Sequence, residues 1–367
     1  MSLTNPIKHL IFAVTNDLNY DQRMIRICTS LAEAGYAVTL IGRRFGGSPA
    51  LVQRPFRQKR LFCFFRTGKL SYLEYNLRLF FYLLLVRTDG VCAIDLDTIL
   101  PFYFISRLKR IPRVYDAHEL FCEMKEVVTR PRVYKIWKWV ERYTVPKFNH
   151  GYTVNEAIAA EFHRLYQVNY EVVRNVPVLY PITIPDKPEP YILYQGAVNE
   201  GRSFETLIPA MKWVNAQLVI CGDGNFMQTA QQLVKENGLT NKVIFKGRVL
   251  PAELRQYTLN AWVGVTLFEN NGMNNYHSLG NRFFDYMHAG LPQLCVNYPA
   301  YKEINNKYNI AVLTNDLRSE SLAERLNELL NNKNLYYQLQ QNCLQARKAI
   351  NWQQEEKKLL AVYKNIF

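Results

Sequence analysis

No two of the seven cysteines stand in a C-x-x-C spacing; Cys28, Cys63, Cys92, Cys122, Cys221, Cys295 and Cys343 lie far apart, most of them inside apolar runs. A thiol in such surroundings behaves as a small hydrophobe, so neither a disulfide framework nor a cysteine-bound zinc is expected. The six histidines have no ligand spacing either, and no metal site is expected. Long apolar runs are also missing: the longest, Leu79 to Val86, falls far short of the roughly 20 residues that span a bilayer. At the N-terminus Pro6, Ile7 and Lys8 lead straight into a strand pattern, without the charged leader, apolar core and cleavage site of a signal peptide. The expectation is a cytoplasmic protein in a reducing compartment, at most peripheral on the inner face of a membrane.

Acidic residues are in short supply. Against 45 Lys and Arg there are 31 Asp and Glu, a formal net charge of +14, so anionic partners are expected, whether phosphorylated small molecules or lipid headgroups. One window holds Arg43, Arg44, Arg54, Arg57, Lys59, Arg60, Arg66 and Lys69 with no carboxylate at all, interleaved with Phe45, Phe56, Phe62, Phe64 and Phe65. Basic groups with embedded rings suit an anionic membrane surface; a solvated loop beside a half-buried strand, Leu61 to Phe65, accounts for the same residues. No helix-turn-helix, finger or aromatic RNA-binding motif accompanies the charge, and nucleic acid is not an expected partner.

What is present in quantity is hydrophobic residue: 49% of 367 residues fills about two cores of ordinary size. Short apolar runs alternate with amphipathic helical patterns, which predicts parallel sheets covered by helices. Strands are predicted at His9 to Thr15, Tyr36 to Gly42, Val91 to Ile94, Arg113 to Tyr115 and Gly151 to Val154. Helices are predicted at Met24 to Ala34, Asp97 to Leu108, Val133 to Val145 and Glu156 to Leu165. Pro181, Pro185 and Pro188 then interrupt both kinds of element, and the boundary is placed there. After it the alternation restarts with strands at Tyr191 to Tyr194, Gln217 to Cys221, Lys242 to Phe245, Trp262 to Leu267, Gln293 to Val296 and Ala311 to Leu313. The expected organisation is 1–178, 179–350 and a last helix, 351–367.

The chemistry-bearing motifs lie in the second half. Gly196 follows a strand and Arg202 precedes a helix, an arrangement in which amides, helix dipole and guanidinium can converge on a phosphate. Glycine turns follow the next two strands, at Gly222-Asp-Gly224 and Lys246-Gly247-Arg248. The segment from Asn274 to Pro292 is the sharpest signal: His277, Ser278, Leu279, Gly280 and Asn281 lead into a helix, Asp285 lies about one turn along it, and Gly290-Leu-Pro292 stops it. In the first half, Tyr115-Asp-Ala-His118-Glu119 follows a strand, and Asp21 and Arg23 stand in the first strand-to-helix loop, where helix capping competes with a ligand role.

Across essentially the whole chain these motifs resemble the retaining GT-B glycosyltransferases, specifically the family-4-like group that builds bacterial envelope polysaccharides and glycolipids. Arg202-Ser203 is similar to that family's basic-small phosphate pair, and Gly222-Asp-Gly224 to its second glycine turn. Asp285 corresponds to the second carboxylate of its carboxylate-seven-carboxylate signature, which in the family holds the ribose hydroxyls. Asn281-Arg-Phe-Phe-Asp-Tyr286 resembles the Asn-Lys-Phe-Phe-Glu-Tyr of one branch. The resemblance implies two Rossmann-like parallel-sheet domains facing across a cleft, with the C-terminal helix crossing back to the first. It implies a UDP- or GDP-linked sugar as donor substrate, no cofactor, and a saccharide or lipid-linked acceptor. Gly196, Arg202, Gly222, Gly224, Lys246, Gly247, His277, Ser278, Leu279, Gly280, Asn281 and Asp285 are then the donor residues. His118 and Arg202 are the catalytic candidates, with Asp21, Arg23 and Glu119 on the acceptor side.

The chain also departs from that pattern. The first carboxylate of the signature falls on His277, and the basic residue that follows the first glycine falls on Ala197, with Arg282 or Arg248 as possible replacements. A sugar-nucleotide epimerase of the same fold, or a catalytically silent nucleotide-sugar-binding protein, would share the donor features. Asp95-Leu-Asp97 is a D-x-D triplet, but it ends a strand in the half without phosphate loops, and a metal-free donor site is the simpler expectation.

Overall fold

The computed structural model describes residues 6–185 and 190–367; Pro188 of the proline-rich stretch lies outside them. The chain divides into two compact units, one running to Asn175 and completed by Gln354–Phe367, the other formed by Val176–Gln353.

The first unit is built on strands β1 (His9–Ala13), β2 (Ala37–Arg44), β3 (Arg57–Phe62), β4 (Gly90–Ile94), β5 (Arg113–Ala117), β6 (His150–Thr153) and β7 (Glu171–Val172). They form one sheet in the order β3-β2-β1-β4-β5-β6-β7, with every pairing parallel. Parallel strands covered on both faces read as continuous apolar runs, and β4 is buried at all five positions. The helix Gln22–Glu33 starts because Asp21 caps it, its carboxylate accepting from Met24 N at 3.0 Å. It stops at Gly35, whose φ of +96° a side chain would resist.

The third strand and one long helix differ from the expected pattern. The strand expected near Leu61 to Phe65 runs instead from Arg57 to Phe62, in register with Thr39 to Arg44. Its basic residues are tolerated because β3 is an edge strand. The long helix Gly68–Leu85 went unpredicted because apolar residues occupy both its faces and leave no amphipathic period.

The last helix, Trp352–Ile366, delivers Tyr363 into the first unit, where it is 1% exposed. Its ring lies against Phe12, Tyr36 and Tyr152. Gly90 opens β4 without a side chain because the Phe367 ring fills that space, 2.2 Å from where a Cβ would stand.

The second unit carries β8 (Tyr191–Gln195), β9 (Gln217–Cys221), β10 (Val243–Gly247), β11 (Val263–Thr266), β12 (Gln293–Val296) and β13 (Ala311–Thr314). The sheet order is β10-β9-β8-β11-β12-β13, again wholly parallel. Gly264 interrupts β11 to admit the Tyr286 ring, whose nearest carbon is 2.5 Å from a would-be Cβ. The Tyr286 hydroxyl donates to Leu193 O at 3.0 Å and accepts from Gln195 N at 3.2 Å, fixing the helix Asn281–His288 to β8.

Candidate functional site

In the second unit β8 and β11 are neighbours from which the chain departs in opposite directions. Open parallel sheets bind ligands at such a switch point, beyond the strand C-terminal ends. The loops leaving those ends touch one another. Gly196 N donates to Cys221 O at 2.9 Å, Gly222 N to Gly247 O at 2.7 Å, and Glu269 N to Gly201 O at 3.0 Å. The approach leaves no room for side chains. A Cβ on Gly222 would fall 1.8 Å from Gly196 O, and one on Gly224 2.4 Å from Val198 O.

Arg202 enters this cluster across an aromatic ring. Its guanidinium carbon lies 4.4 Å from the Phe268 ring centre, and that of Arg282 lies 5.4 Å from the same ring. Gly280, which precedes the helix Asn281–His288, approaches Phe268 so closely that a Cβ would stand 3.0 Å from the ring. Two guanidinium groups and a helix N-terminus therefore gather around one side chain, leaving a positive spot suited to a phosphate. Ser203, between Arg202 and the helix Phe204–Ala210, is buried in a left-handed conformation with φ 58° and ψ 29°. That geometry costs a non-glycine residue about 1–2 kcal/mol, strain of the kind found at ligand loops.

The other expected donor residues are placed unevenly. Ser278, Leu279 and Gly280 form the lead-in to the helix. Gly280 N is spent on the Tyr301 hydroxyl at 2.8 Å, and Ser278 N on Asn275 O at 3.4 Å. Within the first turn of the helix, Phe283 N donates to Gly280 O at 3.1 Å. Asp285 accepts from Gln195 Nε2 at 2.9 Å, and Gln195 Oε1 in turn accepts from the Thr258 hydroxyl at 2.8 Å. His277 ends the short helix Met273–His277 with its ring edge-on to Tyr276. Lys246 is not brought to the cluster: its ammonium lies 5.7 Å from the Tyr257 ring and lines a cavity with Tyr191 and Gln217, at the starts of their strands. Arg248 is solvated and 3.5 Å from Asp223.

A second polar cluster lies beyond β1, β4 and β5 in the first unit. Arg23 is 3% exposed and grips Asp116 through Nη2 at 2.8 Å and Nε at 3.2 Å, while its Nη1 donates to Val173 O at 2.9 Å. The guanidinium is thus enclosed, its partner Asp116 being fully buried. Asp21 is the N-cap already described and also accepts from Asn16 at 2.8 Å.

His118 stands between two carboxylates, Nδ1 3.4 Å from Asp95 and Nε2 3.1 Å from Asp116, the latter out of line for an N–H bond. Burial works against its charge, but Asp116 and Asp95 outweigh it and raise the imidazolium to about 9. Burial lifts Asp95 to about 8, with Glu119 and Asp97 adding to the rise and His118 opposing it. Burial likewise lifts Asp97 to about 6, against a hydrogen bond from Thr15. Asp95 holds φ 50° with ψ −179°, a region nearly reserved for glycine, and its Oδ1 accepts from His118 N at 2.8 Å. Among the described residues no group of three or more His, Cys, Asp or Glu is arranged to hold a metal ion.

Residues 22–177 match the family model described as Glycosyltransferase Family 4, and residues 181–346 the model described as Glycosyl transferases group 1. The chain belongs to the family-4-like GT-B glycosyltransferases. It is a nucleotide-sugar-dependent enzyme of that group. No curated protein matches it in sequence. Sucrose-phosphate synthase from Thermosynechococcus elongatus superimposes with a TM-score of 0.79 at 16% identity, over 98% of this chain and 99% of the other. HepE of Anabaena, in complex with UDP and glucose, gives 0.76 at 13% identity, over 97% and 99%. WaaG, a glycosyltransferase involved in lipopolysaccharide biosynthesis, gives 0.74 at 15% identity, over 95% and 98%. At these identities the likeness establishes the fold.

Three residues of this glycosyltransferase's cluster escaped sequence reasoning: Tyr194, Gln195 and Phe268. Each lies at or just beyond the C-terminal end of β8 or β11. Position relative to the switch point was the signal available, but aromatic and amide side chains at strand ends look like ordinary core.

Proposed function

We propose that the enzyme transfers a sugar from a nucleoside-diphosphate donor, with retention, to a saccharide or lipid-linked acceptor in cell-envelope synthesis. The observation that carries the donor assignment is the meeting of Arg202 and the Asn281–His288 N-terminus at Phe268. HepE bound to UDP-glucose favours a uridine donor, and WaaG's part in lipopolysaccharide synthesis favours an envelope product. In the proposed step the bond from the anomeric carbon to the diphosphate oxygen breaks, its electron pair leaving with the diphosphate. The acceptor oxygen bonds to that carbon on the same face, and its proton passes to the departing phosphate oxygen. Arg202 and the helix amides stabilise the charge that gathers on the leaving group.

His118 is proposed to meet the transferred sugar. With an imidazolium near 9, it serves as a hydrogen-bond donor to a sugar hydroxyl and is unsuited to stabilising a developing oxocarbenium. Arg23 and Asp21 act through others, Arg23 by holding Asp116 and Asp21 by starting its helix.

The test is an Arg202→Ala variant assayed at subsaturating donor across UDP-, GDP- and ADP-sugars. Turnover is expected to fall ~100-fold or more, the loss typical when one preorganised charge-stabilising donor is removed. Unchanged turnover refutes the phosphate assignment. The anomeric configuration of the product reports retention, and a product without acceptor would indicate an epimerase.

A membrane-facing surface is proposed on the first unit. Phe64 and Phe65 of the basic window are exposed, whereas Phe56 is buried, Arg43 donates to Thr15 O and Ser71 Oγ, and Arg60 pairs with Asp17. The exposed apolar surface continues along the helix Gly68–Leu85 as Leu70, Leu73, Leu77, Phe81 and Leu84, one stripe at helical spacing. Arg66 and Lys69 are exposed at one end and Arg87 at the other. Among the described residues no helix is long and apolar enough to cross a membrane. An apolar stripe with basic ends suits a helix lying in an anionic lipid interface.

A further inference from the structure

The position after the first glycine turn of the donor unit is Ala197, where the family pattern has a basic residue. The surroundings of that turn contain a guanidinium supplied from elsewhere. Arg282, in the first turn of the helix Asn281–His288, is 8% exposed, and its Nη2 lies 3.3 Å from where a Cβ on Gly196 would stand. Its guanidinium carbon rests 4.1 Å from the Tyr194 ring centre, and the Tyr194 hydroxyl donates to Ala197 O at 2.6 Å. Ring and hydroxyl together thus join Arg282 to the very residue that lacks a charge.

A buried cation ordinarily has a carboxylate beside it. Arg23 in the first unit follows that rule with Asp116. Arg282 does not: among the described residues no carboxylate lies within ion-pair distance, and its buried Nη1 has no hydrogen-bond partner. Burial opposes its charge, and the groups that offset this are the phenols Tyr194, Tyr286 and Tyr301. Such an arrangement retains a full positive charge with a donor unspent, beside a helix N-terminus and within reach of the ring that Arg202 also covers.

We propose that Arg282 is a donor-diphosphate ligand, standing in for the basic side chain that Ala197 lacks. This inference rests on the donor site proposed above and names a binding residue for it. Tyr194 is the positioning residue: it holds the Ala197 turn with its hydroxyl and the guanidinium with its ring face.

The experiment compares binding of UDP, GDP and ADP, and of the corresponding monophosphates, to the full chain by calorimetry. Arg282→Gln is expected to weaken the preferred diphosphate by roughly 10- to 100-fold, the worth of a charge-assisted hydrogen bond, and the monophosphate by less. Arg282→Lys keeps the charge and is expected to stay within a few-fold. Introducing Ala197→Arg into the Arg282→Gln variant is expected to recover most of the diphosphate affinity. Folded Arg282→Gln protein with unaltered diphosphate affinity, or no recovery in the double variant, overturns the inference while leaving the Arg202 assignment standing. Should Arg282→Gln not fold, a 100-fold loss in the folded Arg282→Lys variant with Ala197→Arg giving no gain overturns it equally. Absence of diphosphate binding by the unmodified chain sinks the donor-site reading itself.

Discussion

The carbonyl oxygen of Gly196 occupies the space where a side chain on Gly222 would begin, 1.8 Å from the ideal Cβ position. Backbone atoms cannot yield as a flexible side chain does, so the turns after β8 and β9 must part if Gly222 is replaced. Gly222→Ala is therefore expected to displace the loop carrying Arg202 and to weaken nucleoside-diphosphate binding at least ~10-fold, with a loss of stability near the 1–3 kcal/mol typical of overpacking. Calorimetry with UDP and thermal melting check both. A variant that binds and melts as the parent does would mean that the turns are less tightly joined than this distance requires.

Removing the buried Arg23 leaves Asp116 charged, fully enclosed and short of its main partner. Burial raises the Asp116 carboxyl while Arg23 and His118 outweigh it and hold it below the usual range. Arg23→Ala is expected to destabilise the first unit by about 3–5 kcal/mol, as breaking a buried pair does. Urea unfolding followed by circular dichroism measures this, and a loss under ~1 kcal/mol would show that Asp116 finds compensation elsewhere.

Proton uptake by the first unit sets a pH dependence. The folded values of Asp97, Asp95 and His118, about 6, 8 and 9, all lie above their ordinary values, so folding binds protons. The stability each confers is full below its unfolded value and is lost as pH rises through its folded one. Melting temperature is expected to decline between pH 6.5 and 9. The double variant His118→Gln, Asp95→Asn removes both groups that titrate in that window and should flatten the curve; an unchanged slope would locate the proton uptake elsewhere.

Vesicle binding tests the apolar stripe. Leu73→Asp combined with Phe81→Asp is expected to reduce co-sedimentation with phosphatidylglycerol-containing vesicles ~10-fold or more, since burying each side chain is worth about 1.5–3 kcal/mol. Both side chains are exposed, so the melting temperature should hold. Equal sedimentation of parent and variant, or of anionic and neutral vesicles, counts against the lipid surface.

The alternation of apolar runs was enough to read the inner strands of both sheets, because strands buried on two faces leave an unbroken apolar signature; Gln217–Cys221 and Gln293–Val296 have the very bounds expected. Gly68–Leu85 was hidden by the same logic, since a helix apolar on both its core and outer faces carries no amphipathic period. At the donor cluster the glycines announced themselves, because close backbone approach demands them. Tyr194, Phe268 and the reach of Arg282 did not, since they depend on which strand ends become neighbours, a property of topology that no local spacing encodes. Lys246 shows the converse: adjacent to a glycine turn in sequence, its side chain lies beside Tyr257 and lines a cavity with Val219 and Glu253.

Residues 176–353 make the second unit from one unbroken stretch, whereas the first must wait for Gln354–Phe367, with Tyr363 its buried plug. In chain order the half that comes later in the sequence is thus the earlier one to have all its residues. The first half precedes it and stays unfinished, with the slot for Tyr363 unfilled, until Gln354–Phe367 has been added.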